Sequence, residues 1–233
     1  MYSVGAARFN LNLNFEKTPH MLIVGGTGSG KTYFSRLLLG KISKYNSDSK
    51  LFICDFKGDR DFSDISGAYR YENVQNGLDE FLGAFRQRQK NIDSNRNPLF
   101  LFFDEYGAFI NWLDKKAADK RKKEIAEVLM LGRSFNVHVI IALQRADASY
   151  FTGGARDNFA IRLGLGSLSA ESRRMMFPDL ETKDYQRAGI GAGVLAIDGQ
   201  NMVQVRVPKV NDQSLLSRSI SKITEEKLKS QSV

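Results

Sequence analysis

Short apolar segments alternate along the chain with longer segments whose apolar residues recur every three or four positions. The longer segments have helical spacing and lie around Thr32–Leu39, Leu78–Phe85 and Ile125–Leu129. The short ones are nearly continuous in apolar residues, as is typical of strands buried on both faces: Met21–Val24, Leu51–Asp55, Leu99–Asp104, Val137–Leu143 and Ala160–Gly164. This alternation predicts an α/β fold with a mostly parallel sheet flanked by helices.

The C-terminal third follows a different pattern. Residues Gly193–Val207 read as a β-hairpin whose turn lies at Asp198–Asn201. From Asp212 onward, Leu216, Ile220 and Ile223 fall on one helical face. We therefore expect three parts: a lead-in segment at residues 1–18, one domain at 19–210 and a helical tail at 211–233.

Composition narrows the class of protein. The chain has 233 residues, 42% hydrophobic and 26% charged, which predicts one globular domain with a full core. No apolar run approaches the roughly 18 residues of a membrane span, and the N-terminus lacks a secretory signal, so we expect no membrane span and a cytoplasmic location. The single cysteine, Cys54, excludes an internal disulfide framework and a cysteine-based zinc cluster.

The charge is basic and unevenly distributed. The net charge is +8, and residues 84–145 hold 12 basic and 7 acidic residues. A basic surplus favours nucleic acid as a partner, although ribosomal and lipid-surface proteins have similar compositions.

The strongest motif is a phosphate loop between the first predicted strand and the first predicted helix. It satisfies G-x-x-x-x-G-K-[ST] with the residues Gly25, Gly26, Thr27, Gly28, Ser29, Gly30, Lys31 and Thr32. The glycines let successive N–H groups point at phosphates at a helix N-terminus. We expect ATP in this loop, with Lys31 on the β- and γ-phosphates and the Thr32 hydroxyl in the shell of a Mg²⁺ ion.

Two further strand ends supply candidate catalytic groups. Leu99–Asp104 ends in Asp104 followed by Glu105, which predicts a Mg²⁺-binding carboxylate and a base for the attacking water. Gln144 ends a buried strand and could sense the γ-phosphate or hold the water, although a strand-end Gln is often simply solvated. No guanine-reading N-K-x-D is present, and a nucleotide kinase would not need the Glu, so hydrolysis of ATP is favoured.

These segments together resemble the FtsK/HerA group of DNA-translocating ATPases, from about residue 19 to 208. The resemblance is carried by Pro19–Lys31, Phe52–Gly58, Phe85–Lys90, Leu131–Arg145 and Asn158–Arg162. It implies a RecA-like P-loop motor domain that assembles as a homo-hexameric ring on double-stranded DNA. It also implies that an arginine from the neighbouring subunit completes each ATP site, with Arg133 the best match and Arg162 the second.

The chain also departs from that family. The membrane anchor and DNA-reading winged helix of many members do not fit in this sequence, and Ala146 stands where the family usually has Pro. We therefore expect a motor domain alone, whose DNA specificity comes from protein partners. Transfer or replication of a mobile element is the expected setting. The alternatives are a viral DNA-packaging ATPase and an ATP-dependent switch or assembly protein that does not move DNA.

A cluster of cations follows the Asp-Glu pair. Six lie within nine residues: Lys115, Lys116, Lys120, Arg121, Lys122 and Lys123. Facing DNA, they would neutralise phosphates without reading bases. The competing interpretation is a solvated helix face.

Overall fold

The computed structural model describes residues 2–4, 7–58, 60–92, 94–178, 188–199 and 202–225. Within these ranges the elements are β1 (Tyr2–Val4), β2 (Ala7–Phe9), β3 (His20–Val24), α1 (Lys31–Tyr45), β4 (Lys50–Asp55), β5 (Tyr69–Arg70), α2 (Val74–Gln89), β6 (Leu99–Asp104), α3 (Tyr106–Trp112), α4 (Lys115–Leu131), β7 (Val137–Leu143), β8 (Ile161–Leu165), α5 (Ala170–Met176), β9 (Ala192–Ile197), β10 (Val203–Arg206) and α6 (Gln213–Glu225). The five strands predicted from the apolar pattern coincide with β3, β4, β6, β7 and β8 to within one residue.

All ten of these strands form one sheet in the order β2-β1-β10-β9-β8-β3-β7-β6-β4-β5. The six strands from β8 to β5 are parallel, and β9, β10, β1 and β2 extend the sheet in antiparallel fashion. The predicted fold class is therefore confirmed, including the C-terminal hairpin formed by β9 and β10. Gln200 and Asn201 of its predicted turn lie outside the described residues.

Buried side chains cover both faces of the sheet, because the parallel strands are apolar at every position. On β3, Leu22 and Val24 join the cluster beneath α2 and α4, whereas Met21 and Ile23 join the cluster beneath α1 and α6. Helices therefore flank the sheet on both sides, as continuous apolar strands require. In the described part of the chain, no helix has both the length and the apolar character needed to cross a membrane.

The parallel strands define two edges of the sheet that matter for function. The carboxyl edge is formed by the last residues of β3, β7 and β6, which are Val24, Leu143 and Asp104. The amino edge is formed by the first residues of the same strands. In parallel α/β sheets ligands bind beyond the carboxyl edge, which makes this edge the expected place of the site.

Candidate nucleotide-binding site

The phosphate loop leaves the carboxyl edge at the end of β3 and leads into α1. Gly28 and Gly30 are left-handed, with φ of 78° and 91°, a conformation that a side chain would strain. Gly25 N–H donates to Leu143 O at 3.1 Å, which fixes the start of the loop to the end of β7. The tip at residues 26–28 is exposed. The loop therefore offers backbone donors and a helix N-terminus to an anion at the surface.

Lys31, the first residue of α1, lies between two carboxylates. Its Nζ is 3.0 Å from Asp104 Oδ1 and 2.7 Å from Glu105 Oε1, and each of the three side chains is at most 10% exposed. Burial alone would lower the pKa of Lys31, but the charges of Asp104 and Glu105 outweigh it and raise this pKa. Burial raises the pKa of Asp104, although Lys31 opposes the shift. The structure thus brings the three residues together in one compact ionic cluster.

Glu105 occupies the junction between β6 and α3 in a strained conformation. Its φ and ψ are 55° and 40°, which costs a residue other than glycine about 1 kcal/mol or more. Its backbone O accepts hydrogen bonds from Ala108 N and Phe109 N, at 2.9 and 3.2 Å, so α3 begins immediately. This sharp turn leaves the Glu105 side chain beside Lys31.

Asp55 is a buried carboxylate of this edge that the sequence-based site did not include. It ends β4, pairs in register with Asp104, and is 1% exposed. Its Oδ1 accepts from Gly58 N at 2.9 Å, and Arg70 Nε lies 3.5 Å from its Oδ2. Burial raises the pKa of Asp55. The sequence signal for this residue is the segment Phe52–Gly58, which carries part of the family resemblance but does not by itself give Asp55 a role.

Gln144 lies where the sequence predicted, directly after β7. It is exposed at the carboxyl edge and follows Leu143, whose carbonyl accepts from Gly25. Its side chain is therefore solvated beside the start of the phosphate loop.

Two glycine-containing segments that the sequence did not assign to the site lie against the phosphate loop. Gly191 N donates to Ser29 O at 2.9 Å. A Cβ at Gly30 would lie 3.1 Å from Gly191 N, and a Cβ at Gly166 would lie 3.0 Å from Ser29 Cβ. Gly166 and Gly191 are left-handed, with φ of 69° and 68°. The sequence signal for these contacts is a glycine directly after β8 and another directly before β9.

Arg133 and Arg162 lie at the opposite, amino edge, where both line one surface cavity of about 580 Å³. Arg133 is exposed in the turn before β7. Arg162, on β8, donates from Nε to Phe159 O at 3.0 Å and from Nη1 to Met176 O at 3.4 Å. A five-residue strand spans about 16 Å. Neither guanidinium therefore reaches the phosphate loop of its own chain.

The lysines of the cationic cluster occupy the first half of α4. Four of them are exposed: Lys115, Lys116, Lys120 and Lys123. Lys116, Lys120 and Lys123 have the i, i+4, i+7 spacing of one helix face, and we call these three residues the lysine stripe. Lys122 is 17% exposed at its side chain and lies 3.9 Å from Asp119.

Arg121 does not share this surface. It is 7% exposed, with Nη2 3.1 Å from Asp79 Oδ2 and Nη1 3.0 Å from Glu124 Oε2. The hydrogen bond that the guanidinium donates to Asp79, on α2, raises the pKa of Arg121. The expectation that Arg121 faces DNA is wrong in this structure, because two carboxylates bind its guanidinium and tie α4 to α2.

Comparison with known proteins extends the sequence resemblance. The curated relatives include the FtsK domain-containing protein YdcQ of Bacillus subtilis, 30% identical in an alignment of 221 residues that covers 86% of this chain and 45% of that protein. They also include the ESX secretion system protein EccC of Thermomonospora curvata, 25% identical in an alignment of 196 residues that covers 68% of this chain and 14% of that protein. The chain thus spans less than half the length of these relatives.

A solved structure and a protein family also match. The pCW3 conjugation coupling protein TcpA, with ATPγS, aligns with a TM-score of 0.72 at 19% identity, over 92% of this chain and 67% of that chain. At this identity the likeness shows the fold alone. Residues 4–131 match the family described as "Helicase HerA, central domain". The chain therefore belongs to the HerA central-domain family, as an FtsK/HerA-type P-loop ATPase.

Proposed function

We propose that this ATPase moves double-stranded DNA in the cytoplasm, as a homo-hexameric ring that serves transfer or replication of a mobile element. The observation that carries the proposal is the lysine stripe on α4, which begins close after the buried Asp104–Glu105 pair in the chain. A helix that follows these carboxylates closely in the chain and displays a row of exposed cations can couple the nucleotide state to a polyanion. Its charge pattern predicts contact with phosphates irrespective of base sequence.

The residues of the carboxyl edge suit hydrolysis of a nucleoside triphosphate. The loop N–H groups and Lys31 would hold the β- and γ-phosphates, and Glu105 would accept the proton of the attacking water. Gln144 would orient that water or sense the γ-phosphate. For Lys31 to reach the phosphates, its contacts with Asp104 and Glu105 must loosen, which frees the Glu105 carboxylate for the water.

A magnesium ion fits the donors at this edge. Asp104 and Glu105 are buried where β6 ends, Thr32 lies in the first turn of α1, and carboxylate and hydroxyl oxygens are the ligands that Mg²⁺ prefers. Thr32 and Asp104 would hold the ion, and the ion would supply neutralisation of phosphate charge. Lys31 positions the same carboxylates from the side of α1.

The arginine that completes the site would come from a neighbouring copy. Arg133 is exposed and Arg162 is half-buried at the amino edge, where both line one cavity beyond reach of their own phosphate loop. A head-to-tail ring would place the amino edge of one subunit against the carboxyl edge of the next. We propose Arg133 as the trans-acting residue because it is exposed, with Arg162 as the second candidate because its backbone contacts hold it on β8.

Partners would supply the choice of DNA. The lysine stripe consists of flexible point charges, which suit phosphate contacts that carry no sequence information. A protein partner would therefore select the DNA on which this motor loads.

The decisive experiment measures the ATPase rate with and without duplex DNA at several salt concentrations. We expect DNA to stimulate hydrolysis, and the stimulation to fall steeply with salt. Lys31→Ala should abolish the rate, whereas Lys41→Ala, at an exposed lysine on α1, should leave it unchanged.

An ATPase rate that does not change when duplex DNA is added at low salt would support the switch or assembly protein instead. A viral packaging motor would also be stimulated, so the genes adjacent to this one distinguish that setting.

A second candidate is a motor that acts on a secreted protein, which the similarity to EccC favours. In that case a peptide substrate would stimulate hydrolysis and duplex DNA would not. Alanine substitution of the lysine stripe would then leave the stimulated rate unchanged.

A further inference from the structure

The most exposed large apolar side chain among the described residues stands beside the phosphate loop. Ile190 is 80% exposed and precedes Gly191, at the approach to β9. Gly191 donates its N–H to Ser29 O at 2.9 Å, and its own carbonyl accepts from Val207 N at 2.7 Å. These two hydrogen bonds hold the backbone at Ile190 against the loop.

The side chain of Ile190 is close to Gly30. A Cβ built on Gly30 would lie 3.8 Å from Ile190 Cγ2. Gly30 is the last residue before Lys31, so Ile190 lies at the point where the phosphate loop becomes α1. An aliphatic group thus stands next to a row of backbone donors.

Tyr33, in the first turn of α1, is the second exposed apolar group of this region. It is 36% exposed, and its hydroxyl accepts a hydrogen bond from Val210 N. The segment after β10 is therefore tied at Val207 to Gly191 and at Val210 to Tyr33. Ile190 and Tyr33 lie at the two ends of this tied segment, and we call the pair the apolar rim.

We propose that the apolar rim binds the base and ribose of the nucleotide whose phosphates occupy the loop. The inference rests on the proposed nucleotide-hydrolysing function and adds the residues that contact the nucleoside. A nucleotide has an anionic end, which matches the loop, and a flat weakly polar end, which leaves the loop and needs an apolar surface. The side chain of Ile190 has no polar atom, and the Tyr33 hydroxyl is directed to Val210 N, so the rim offers a base an aliphatic and an aromatic surface.

Calorimetric titration with ADP and with inorganic pyrophosphate, both in the presence of Mg²⁺, tests the proposal. Because only ADP carries a nucleoside, Ile190→Ala should raise the Kd for ADP roughly tenfold and leave the Kd for pyrophosphate within about twofold. GDP should lose as much affinity as ADP. The matched control is Ile92→Ala, since Ile92 is 72% exposed after α2, and it should change neither Kd.

Each alternative outcome is decisive. An unchanged Kd for ADP in Ile190→Ala, or an equal loss of affinity for pyrophosphate, would contradict nucleoside binding at the apolar rim. Neither result would contradict phosphate binding at the loop. A wild-type chain that bound neither ligand would overturn the proposed nucleotide chemistry itself.

A second pair of variants separates the ring of Tyr33 from its hydroxyl. Tyr33→Phe keeps the ring and loses the contact with Val210, so its Kd for ADP should stay within about twofold of wild type, whereas Tyr33→Ala should raise it about fivefold. Equal losses in the two variants would assign the effect to the Val210 contact and remove Tyr33 from the rim.

Discussion

The two edges of the parallel sheet carry complementary chemistry. At the carboxyl edge Lys31 is buried with Asp104 and Glu105, and the phosphate loop presents its backbone donors. At the amino edge Arg133 and Arg162 line an open cavity. The length of the strands separates the two, so each edge carries a part that the other lacks. One chain thus carries the phosphate loop at one edge and the candidate arginines at the opposite edge. This arrangement favours a site that two copies of the chain complete together.

The largest effect on the ATPase rate should come from inactivating one edge in one variant and the other edge in a second variant. Arg133→Ala should lower the DNA-stimulated ATPase rate by about 10³, equivalent to about 4 kcal/mol, because transition-state charge loses its neutralising guanidinium. Glu105→Gln should be similarly inactive through loss of the base. In an equimolar mixture, about a quarter of the sites would pair an intact Glu105 with a neighbour's intact Arg133, and phosphate release should recover accordingly.

The mixing experiment also has a clear negative result. If the two inactive variants stay inactive together, Arg133 does not act between subunits. Replacing Arg133→Ala by Arg162→Ala in the same mixture then tests the second arginine. Failure of both mixtures would show that the two edges do not meet in the active assembly.

Local motifs were readable from the sequence, whereas long-range pairing was not. The strand, loop and helix around Lys31 are contiguous, so one segment predicts the phosphate site. Arg121 was misread because its burial depends on Asp79, a residue 42 positions away on α2. Gly191 was missed for the same reason, since its contact with Ser29 exists only after the antiparallel part of the sheet has formed.

Helix α4 runs between the lysine stripe and the turn that holds Arg133, and Arg121 fastens this helix to α2. α4 carries the lysine stripe in its first half and ends just before the turn that holds Arg133. Arg121→Ala should lower the free energy of unfolding by about 3 kcal/mol, because it leaves Glu124 buried with one partner fewer. Lys120→Ala, at the adjacent exposed position, should change it by less than about 0.5 kcal/mol. Urea denaturation measures both, and equal effects would contradict the burial of Arg121.

The edges should also differ in the sign of their pH dependence. At the amino edge, burial first and then His138 lower the pKa of His20 from 6.5 to about 3. Below pH 6.5 the unfolded chain therefore binds more protons than the folded chain, and stability falls as the pH falls. Burial instead raises the pKa of Asp104 at the carboxyl edge, so the Asp104 contribution to stability is lost as the pH rises.

His20→Gln tests the amino-edge half of this contrast. Between pH 7.5 and pH 5 the wild-type chain should lose about 2 kcal/mol of unfolding free energy through His20, and the variant should lose less by that amount. His138, whose pKa burial lowers to about 4, is present in both proteins and accounts for a remaining slope. Urea titrations at the two pH values measure the difference. An unchanged pH dependence in His20→Gln would remove His20 as its source.

The smallest effect per residue is expected on the lysine stripe, because exposed cations act additively through phosphate contacts. Alanine at Lys116, Lys120 and Lys123 together should reduce the slope of log K against log salt for duplex DNA by about three, or about one per lysine. Lys41 and Lys44 are exposed on α1, on the other side of the sheet, and their double substitution is the control. Fluorescence anisotropy over about 50 to 200 mM salt measures both slopes. A slope that changed on substitution of the α1 lysines and not of the lysine stripe would indicate that DNA binds on the opposite face of the sheet. In that case α4 would not connect the hydrolytic carboxylates to the DNA.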